Sequence, residues 1–261
     1  MAIERFGPRE LEGLRRAGRA AAETLAFVGS RLRPGMSTSD VDALVREDTA
    51  RRGGRPSQLG YMGFPAAVCT SRNHVVCHGI PSPRERLEPG DIVNVDVTTE
   101  LGGFHGDTSA TFLIGEPGPE ARHVADVARR CRDAGIAAVR EGARLGDVGA
   151  AIEALARREG CSVVREFGGH GIGRSMHAEP HVPHVGRRGE GLRLRAGMAI
   201  TIEPMVNLGG ADVRMLADGW TVVTADGSLS AQFEHTVYVT ETGCEVLTLL
   251  LQRFARRRRT A

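Results

Sequence analysis

The sequence predicts an α+β protein in which helices and strands are grouped in blocks. Its 261 residues suffice for one large domain, or two fused halves, around a sizeable core. Helical patterns come first, then strand patterns, then a second helical block, and strand patterns fill the remainder. This order favours two similar halves, with mainly antiparallel sheet flanked by helices, over a regularly alternating parallel sheet.

Helix start and stop signals outline four helical segments. Pro8 fits a first helical turn, Pro34 stops that helix, and Ser37 offers a cap to the next one. Gly142 and Gly160 follow the later pair of helices. Two predicted helices therefore lie within residues 1–54, and two more cover about 119–140 and 145–158.

Runs of β-branched residues with period-two alternation predict the strands. A hairpin is expected where two such runs flank Leu101-Gly102-Gly103. The predicted strands are 68–76, 92–99, 104–114, 161–166, 198–206, 221–224, 235–240 and 245–250.

Composition excludes several function classes. The formal charge is only +2, so charge alone does not indicate a nucleic-acid binder. All 34 basic residues are Arg, which excludes a lysine Schiff base or a phosphate-loop lysine. The N-terminus lacks the apolar core of a signal peptide, and no run is long and apolar enough to span a membrane. The five cysteines form no C-x-x-C pair, which excludes a zinc ribbon. We therefore expect a cytoplasmic protein with reduced thiols.

Two aspartates mark the predicted hairpin. If Leu101-Gly102 is the two-residue turn, Asp96 and Asp107 are directly opposed, with Cβ atoms about 4.5–5.5 Å apart. Two carboxylates so close, among apolar neighbours, either share a proton or bind a cation. The alternative is a solvated strand face on which both acids point to water.

Three more chemically competent residues lie in later strand or tight-loop patterns. His170 is surrounded by four glycines in GGHGIG, which would let backbone approach closely. Glu203 and Glu234 interrupt apolar strands, where an unpaired charge is costly unless a metal binds it. An outward-facing edge strand is the alternative for Glu234, and His235 is interpreted as structural because it faces the other side.

Four carboxylates and one imidazole form a hard ligand set. Such ligands suit divalent Mn, Fe, Co or Zn better than thiolate-loving ions, and four negative charges balance two divalent cations. A water bridging two metals becomes a hydroxide near neutral pH, so a two-metal hydrolase is expected. His78 and His177 remain to orient substrate and stabilise an oxyanion.

The blocks VVCHGIP, IVNVDVT, GFHGDTS, GHGIGRSMHAEP, TIEPMV, DGW and LSAQFEHT resemble, in this order, those of type I methionine aminopeptidases. The resemblance covers about residues 3–249. It implies the pita-bread fold, with two pseudo-symmetric halves around a dinuclear metal site. It also implies removal of the initiator methionine from nascent polypeptides whose second residue is small. The short interval between Glu203 and Glu234 leaves no room for the inserted helical subdomain of type II enzymes. Because no zinc-binding or proline-rich extension precedes the catalytic region, the sequence resembles the short bacterial form.

The resemblance also implies roles for individual residues. Asp107 and Glu234 match the bridging metal ligands, Asp96 a ligand of one metal, and His170 and Glu203 ligands of the other. Glu203 also matches the residue that transfers a proton. His177 matches a histidine that contacts the scissile carbonyl, and His78 matches one placed near the scissile amide. A monovalent-cation site is implied at Asn73, Val75 and Ser230.

The implied methionine pocket departs in part from the family pattern. Tyr61, Cys69 and Trp220 agree with it. Phe64 stands where Tyr is common and Met176 where Phe is common, and an apolar wall still suits a thioether side chain. The remaining departures are Gln58, where a small residue is common, and His74, where an acid is common.

Three other functions compete with this interpretation. An Xaa-Pro peptidase shares the metal residues but usually carries a large additional N-terminal domain. A non-catalytic binding protein would have lost ligands, whereas all five positions are filled here. A nucleic-acid binder is supported only by the basic run Arg256 to Arg259.

The expected organisation is simple. Residues 1–252 form a single catalytic domain, and residues 253–261 form a basic, disordered tail. The expected partners are nascent polypeptide N-termini near the ribosome, with no membrane and no specific nucleic acid, and the chain is expected to be a monomer.

Overall fold

The computed structural model describes residues 3–250 and places four helices as two pairs. All four coincide closely with the predicted segments, and Pro occupies the first turn of the first and third helices. Ser37 accepts a hydrogen bond from the amide of Asp40 and so caps the second helix. The helices are α1 (Pro8–Gly29), α2 (Thr38–Arg51), α3 (Pro119–Ala138) and α4 (Leu145–Arg158).

The strands form four antiparallel sheets. In chain order they are β1 (Arg55–Pro56), β2 (Cys69–Arg72), β3 (Val75–Cys77), β4 (Ile92–Leu101), β5 (Phe104–Leu113), β6 (Ser162–Val163), β7 (Gly169–Gly171), β8 (Ala178–Val182), β9 (Ala199–Ile202), β10 (Met205–Asn207), β11 (Val213–Met215), β12 (Val222–Thr224), β13 (Ser230–Gln232), β14 (His235–Val239) and β15 (Cys244–Val246). A short 3-10 turn, Tyr61–Gly63, lies between β1 and β2.

Each helix pair covers its own sheets. Helix α1 packs on α2 and on the β4–β5 hairpin. In the sheet that contains this hairpin, β1 and β2 both pair with the other edge of β4. Helices α3 and α4 pack on each other, with α3 against β9, β10 and β13 and α4 against β6. Separate apolar clusters fill the two regions, one around Val41 and Val95 and one around Val127 and Ile200. The predicted arrangement in two halves is therefore confirmed.

Hydrogen bonds join the two halves along β5. The amide of Glu234 donates to Ser109 O at 3.0 Å, and the amide of Asp107 donates to Thr236 Oγ1 at 3.0 Å. Thr111 Oγ1 donates to Gln232 O at 2.8 Å. This seam brings carboxylates from distant parts of the chain into one buried region.

Several predicted strands are divided in the structure. The expected strand 198–206 breaks after Ile202, where Glu203-Pro204 removes a ladder donor, and continues as β10. The expected strand 68–76 turns at Asn73, whose φ of 54° lies in the left-handed region. Short strands without an alternating apolar pattern were not predicted: β1, β7, β8, β11 and β13.

Three further expectations concern the surface and the termini. Among residues 3–250, no helix combines the length and apolar character needed to cross a membrane. The five cysteines, all in this range, are free thiols. The basic run Arg256 to Arg259 lies outside the described residues, as does the expected boundary at residue 252.

Candidate metal centre

The β4–β5 hairpin carries the two aspartates, but in a different register from the predicted one. Asp96 is opposite Ser109, and Asp107 is opposite Thr98. The expectation that the aspartates are directly opposed is therefore wrong. The turn is Gly102-Gly103, with φ of 63° and 82°, because a two-residue turn that matches strand twist needs positive φ at both positions.

The shift is by two residues, so both carboxylates remain on the same face of the hairpin. They are diagonal neighbours, and this distance is still within reach of one cation. Thr98 Oγ1 donates to Asp107 Oδ1 at 2.7 Å and orients that carboxylate.

His170 lies on β7, a strand that the glycine-rich sequence did not predict. A Cβ at Gly169 would lie 2.2 Å from Thr201 O, and one at Gly171 would lie 2.1 Å from Glu179 O. The glycines therefore allow β7 to pass closely between β8 and β9, as the expectation of close backbone approach implied.

The imidazole of His170 is oriented by its neighbours. Its Nδ1 lies 3.0 Å from Gly171 O, and since a carbonyl only accepts, Nδ1 carries the proton. The unprotonated Nε2 then faces Asp107 Oδ2 at 3.7 Å and Glu203 Oε1 at 3.5 Å. A lone pair directed at two carboxyl groups is stabilised by a proton or a cation between them, and this arrangement is typical of metal-bound histidine.

Glu203 and Glu234 occupy breaks between strands. Glu203 follows β9, and it accepts from Thr201 Oγ1 at 2.6 Å and from Gln232 Nε2 at 3.2 Å. Glu234 lies between β13 and β14 and is only 2% exposed. The outward-facing alternative for Glu234 is thereby wrong.

The five predicted ligands converge at the seam. Within each of two groups, one ligand atom per residue lies within 4.8 Å of the others. One group is Asp96, Asp107 and Glu234, and the other is His170, Glu203 and Glu234. The groups share Glu234, as expected for two adjacent cations with a bridging carboxylate. A third group joins Asp107 and His170 to His177.

Burial governs the protonation of this cluster. It raises the pKa of Asp107 to about 7 and that of Glu203 to about 8, partly offset by the threonine hydroxyls that bond them. Burial, then the charge of Asp107, raises the pKa of Asp96 and of Glu234 well above the usual range. Burial also lowers the pKa of His170 to about 3, so its imidazole is neutral. Neutral imidazole and crowded carboxylates are the donor forms that a divalent cation stabilises.

Two carboxylate oxygens support the same conclusion. Asp96 Oδ1 and Glu234 Oε1 are buried and have no hydrogen-bond partner. Buried polar oxygens are ordinarily satisfied, so these two oxygens are available to a ligand. The residues present therefore fit divalent cations.

A cavity of about 460 Å³, open to solvent at its mouth, is lined by these ligands. Phe64 and Trp220 meet edge to face with ring centroids 5.1 Å apart and form its apolar wall. The cavity is lined by Gln58, Tyr61, Phe64, Cys69, His78, Asp96, Thr98, Asp107, His170, Met176, His177, Glu203, Trp220 and Glu234.

His177 and His78 lie on the rim of the ligand cluster. His177 Nδ1 is 2.9 Å from the Tyr61 hydroxyl, and its ring meets that of His170 at 4.2 Å. His78 packs between Phe167 and Trp220, and burial lowers its pKa to about 4. A second cavity of about 700 Å³ shares both histidines and continues past Phe167.

Other predicted residues lie away from this cavity. Ser230 N donates to Asn73 O at 2.9 Å, so the implied monovalent-cation residues are neighbours on a different side. Val75 is on β3, next to β12. His74 O accepts from Thr224 N, and His235 Nδ1 lies 2.8 Å from Thr248 Oγ1, in agreement with a structural role for His235.

Sequence reasoning missed the polar residues that hold the ligands. Thr98 and Thr201 donate to Asp107 and Glu203, and Gln232 adds a second donor to Glu203. The only available signal was position, since Thr98 and Thr201 each lie two residues from a predicted ligand and share its strand face.

Comparison with known proteins agrees with this geometry. The family model described as "Metallopeptidase family M24" matches residues 12–241. Methionine aminopeptidase B of Synechocystis sp. is 51% identical over 246 residues, which are 92% of this chain and 90% of that protein.

Solved structures of other proteins share the fold of this chain. Methionine aminopeptidase from Rickettsia prowazekii superposes with a TM-score of 0.93 at 44% identity, covering 95% of this chain and all of that one. Prolidase from Pyrococcus furiosus shares the fold at 19% identity, with a TM-score of 0.76, and this chain covers 66% of its length. The pita-bread architecture is confirmed, and the chain belongs to metallopeptidase family M24.

Proposed function

We propose that this chain is a methionine aminopeptidase, a metal-dependent hydrolase that releases methionine from polypeptide N-termini whose second residue is small. The single observation that carries the proposal is one cavity that has an apolar wall and is also lined by both overlapping ligand groups. Relatives with the same family model and about half of the residues identical support the reaction class.

The proposed site holds two divalent cations. Asp96, Asp107 and Glu234 would hold one, and His170, Glu203 and Glu234 would hold the other, with Asp107 as a second bridge. Mn, Fe, Co and Zn all accept carboxylate and imidazole donors. When bound, the cations would polarise the scissile carbonyl and lower the pKa of the attacking water.

Glu203 is the proposed proton carrier. Thr201 and Gln232 hold its two carboxylate oxygens in a fixed orientation at the floor of the cavity. Glu203 would take a proton from the attacking water and transfer it to the departing amine. The resulting peptide leaves as a free amine, so protons balance over the cycle.

The two histidines would act on the peptide bond. If the Tyr61 hydroxyl donates to Nδ1 of His177, the proton of His177 is on Nε2, which can donate to the scissile carbonyl oxygen. His78, desolvated between two aromatic rings, would contact the scissile amide. Both are neutral because burial lowers their pKa values.

Methionine would bind in the apolar part of the first cavity. Its unbranched thioether suits a wall of aromatic and sulfur-containing side chains. Those side chains are Tyr61, Phe64, Cys69, Met176 and Trp220. The second cavity, beyond His78, would receive the remainder of the peptide.

The finer assignments rest on the same proposal. The substrates would be nascent chains emerging from the ribosome in the cytoplasm, and the chain would act as a monomer. Asn73, Val75 and Ser230 would bind a monovalent cation, supported by the contact between Asn73 and Ser230.

Peptide cleavage tests the proposal. Metal-free protein is mixed with Mn²⁺, Co²⁺ or Zn²⁺ and with Met-Ala-Ser, Met-Leu-Ser or Ala-Pro-Ser. Metal-dependent release of methionine from Met-Ala-Ser alone is expected. Cleavage of Ala-Pro-Ser instead would assign the chain to the Xaa-Pro peptidases, and bound metal without any cleavage would indicate a non-catalytic binder.

A further inference from the structure

Strand β4 has an interrupted edge beside the metal centre. One edge is covered along its whole length by β5. On the other edge, β2 pairs with β4 only as far as Asp96, and β1 begins pairing only at Thr99. The gap between these partners therefore falls at Val97 and Thr98, immediately after a proposed metal ligand.

The side chain of Gln58 fills this gap. Its Nε2 donates to Asp96 O at 2.9 Å, and its Oε1 accepts from Thr98 N at 3.2 Å. Ser57 N adds a bond to Thr98 O at 2.9 Å. A primary amide offers the same donor and acceptor as a peptide group, so Gln58 continues the ladder where no strand is present.

Gln58 is also part of the cavity wall. It is only 6% exposed, and it lines the first cavity together with Asp96, Thr98 and Asp107. Its carbonyl oxygen and one of its two amide N–H groups are bonded to the backbone of β4. A buried amide tied at both ends is a rigid element.

We propose that Gln58 is a positioning residue for the metal centre. It fixes the segment from Asp96 to Thr98, and through the Thr98 hydroxyl it fixes the Asp107 carboxylate as well. One side chain outside the ligand set thus sets the orientation of two ligands. The inference rests on the proposed two-metal function.

The test replaces Gln58 with methionine, which has similar length and suits the cavity but cannot bond the strand. Isothermal titration with Mn²⁺ should show affinity about 10- to 100-fold weaker than that of the parent protein. The matched control is Ser57→Ala, which removes only the adjacent contact to His105 at 2.8 Å and leaves the Ser57 amide in place. This control should bind Mn²⁺ as the parent protein does.

Hydrogen exchange supplies an independent measurement. The amide of Thr98 should exchange slowly in the parent protein, more slowly still with Mn²⁺ bound, and faster in Gln58→Met. If that variant does not fold, exchange of the Thr98 amide in the parent protein decides: exchange as fast as that of an unbonded loop amide would overturn the proposal.

Affinity for Mn²⁺ within twofold of the parent value, in a folded Gln58→Met variant, would also overturn it. Failure of the function itself is separable. Parent protein that binds Mn²⁺ but releases no methionine would refute the proposed activity, while the affinity comparison would still decide the role of Gln58.

Discussion

At the scale of single residues, the surroundings of Glu203 fix its orientation and shift its pKa. Its carboxylate is held by donors from two strands, Thr201 on β9 and Gln232 on β13. Burial raises its pKa to about 8 in the metal-free protein, and a bound cation would favour the carboxylate form that can accept a proton. The threonine hydroxyl also accepts from the amide of His170 at 2.9 Å, so one residue aligns two proposed ligands.

Replacing Glu203 with glutamine should therefore impair turnover more than binding. The amide keeps the shape of the carboxylate but cannot accept the proton, so kcat for Met-Ala-Ser should fall at least about 100-fold, with a smaller change in KM. Steady-state assays at saturating Mn²⁺ measure both constants. The exposed Glu241→Gln variant is the control, and an unchanged kcat in Glu203→Gln would remove Glu203 from proton transfer.

At the scale of elements, the β4–β5 hairpin determines where the aspartates lie. Its register follows from the turn, and the turn follows from two glycines with positive φ. A shift by one residue would have moved one aspartate to the opposite face, whereas the observed shift by two keeps both on the site face. The predicted turn was therefore wrong by one position, yet both aspartates still lie on the face of the hairpin that forms the site.

Gly103→Ala should destabilise the protein by about 1–2 kcal/mol, because the new Cβ strains a left-handed backbone. No neighbour lies within 4 Å of that Cβ, so conformation alone accounts for the loss. Chemical denaturation measures the free energy of unfolding. Gly243→Ala, in the loop between β14 and β15 with open space and no positive φ, is the matched control. Equal stability of the two variants would contradict the turn assignment.

At the scale of the whole molecule, the site exists only where the two halves meet. Asp96 and Asp107 come from the first half, while His170, Glu203 and Glu234 come from the second. Hydrogen bonds between β5 and the segment around Glu234 hold the halves together. Folding therefore concentrates four carboxylates in a buried region, at a cost in stability that bound cations offset.

This cost predicts how stability of the metal-free protein depends on pH. The pKa values of Asp107 and Glu203 rise to about 7 and 8 on folding, so the folded state holds more protons than the unfolded state until those values are passed. Their contribution is present at low pH and is lost as pH rises through 7 and 8. Histidines with lowered pKa act in the opposite direction, but their contribution is nearly complete about one pH unit above 6.5, the ordinary histidine pKa.

The melting temperature of the metal-free protein should thus fall between pH 6.5 and 8.5, and saturating Mn²⁺ should remove most of that fall. Differential scanning fluorimetry with chelator or with Mn²⁺ measures both curves. The Glu203→Gln variant should show a shallower decline than the parent protein. A melting temperature that rises across this range without metal would contradict the assigned direction.

The sequence alone predicted the helices, the two-half order of the elements and the five residues proposed as metal ligands. These follow from local signals: caps and breakers for helices, apolar periodicity for strands, and charged residues in apolar surroundings. It also determined the family through blocks such as GHGIG around His170, which the comparisons confirm.

Only the tertiary structure decided the hairpin register, the strand that carries His170, and the polar residues that orient the ligands. Register depends on which glycines take positive φ. Strand β7 forms because Gly169 and Gly171 carry no side chain that would clash with the neighbouring strands. The amide of Gln58 bonds β4 only because β1 and β2 leave a gap there. Such contacts join residues far apart in sequence, so no local pattern reports them.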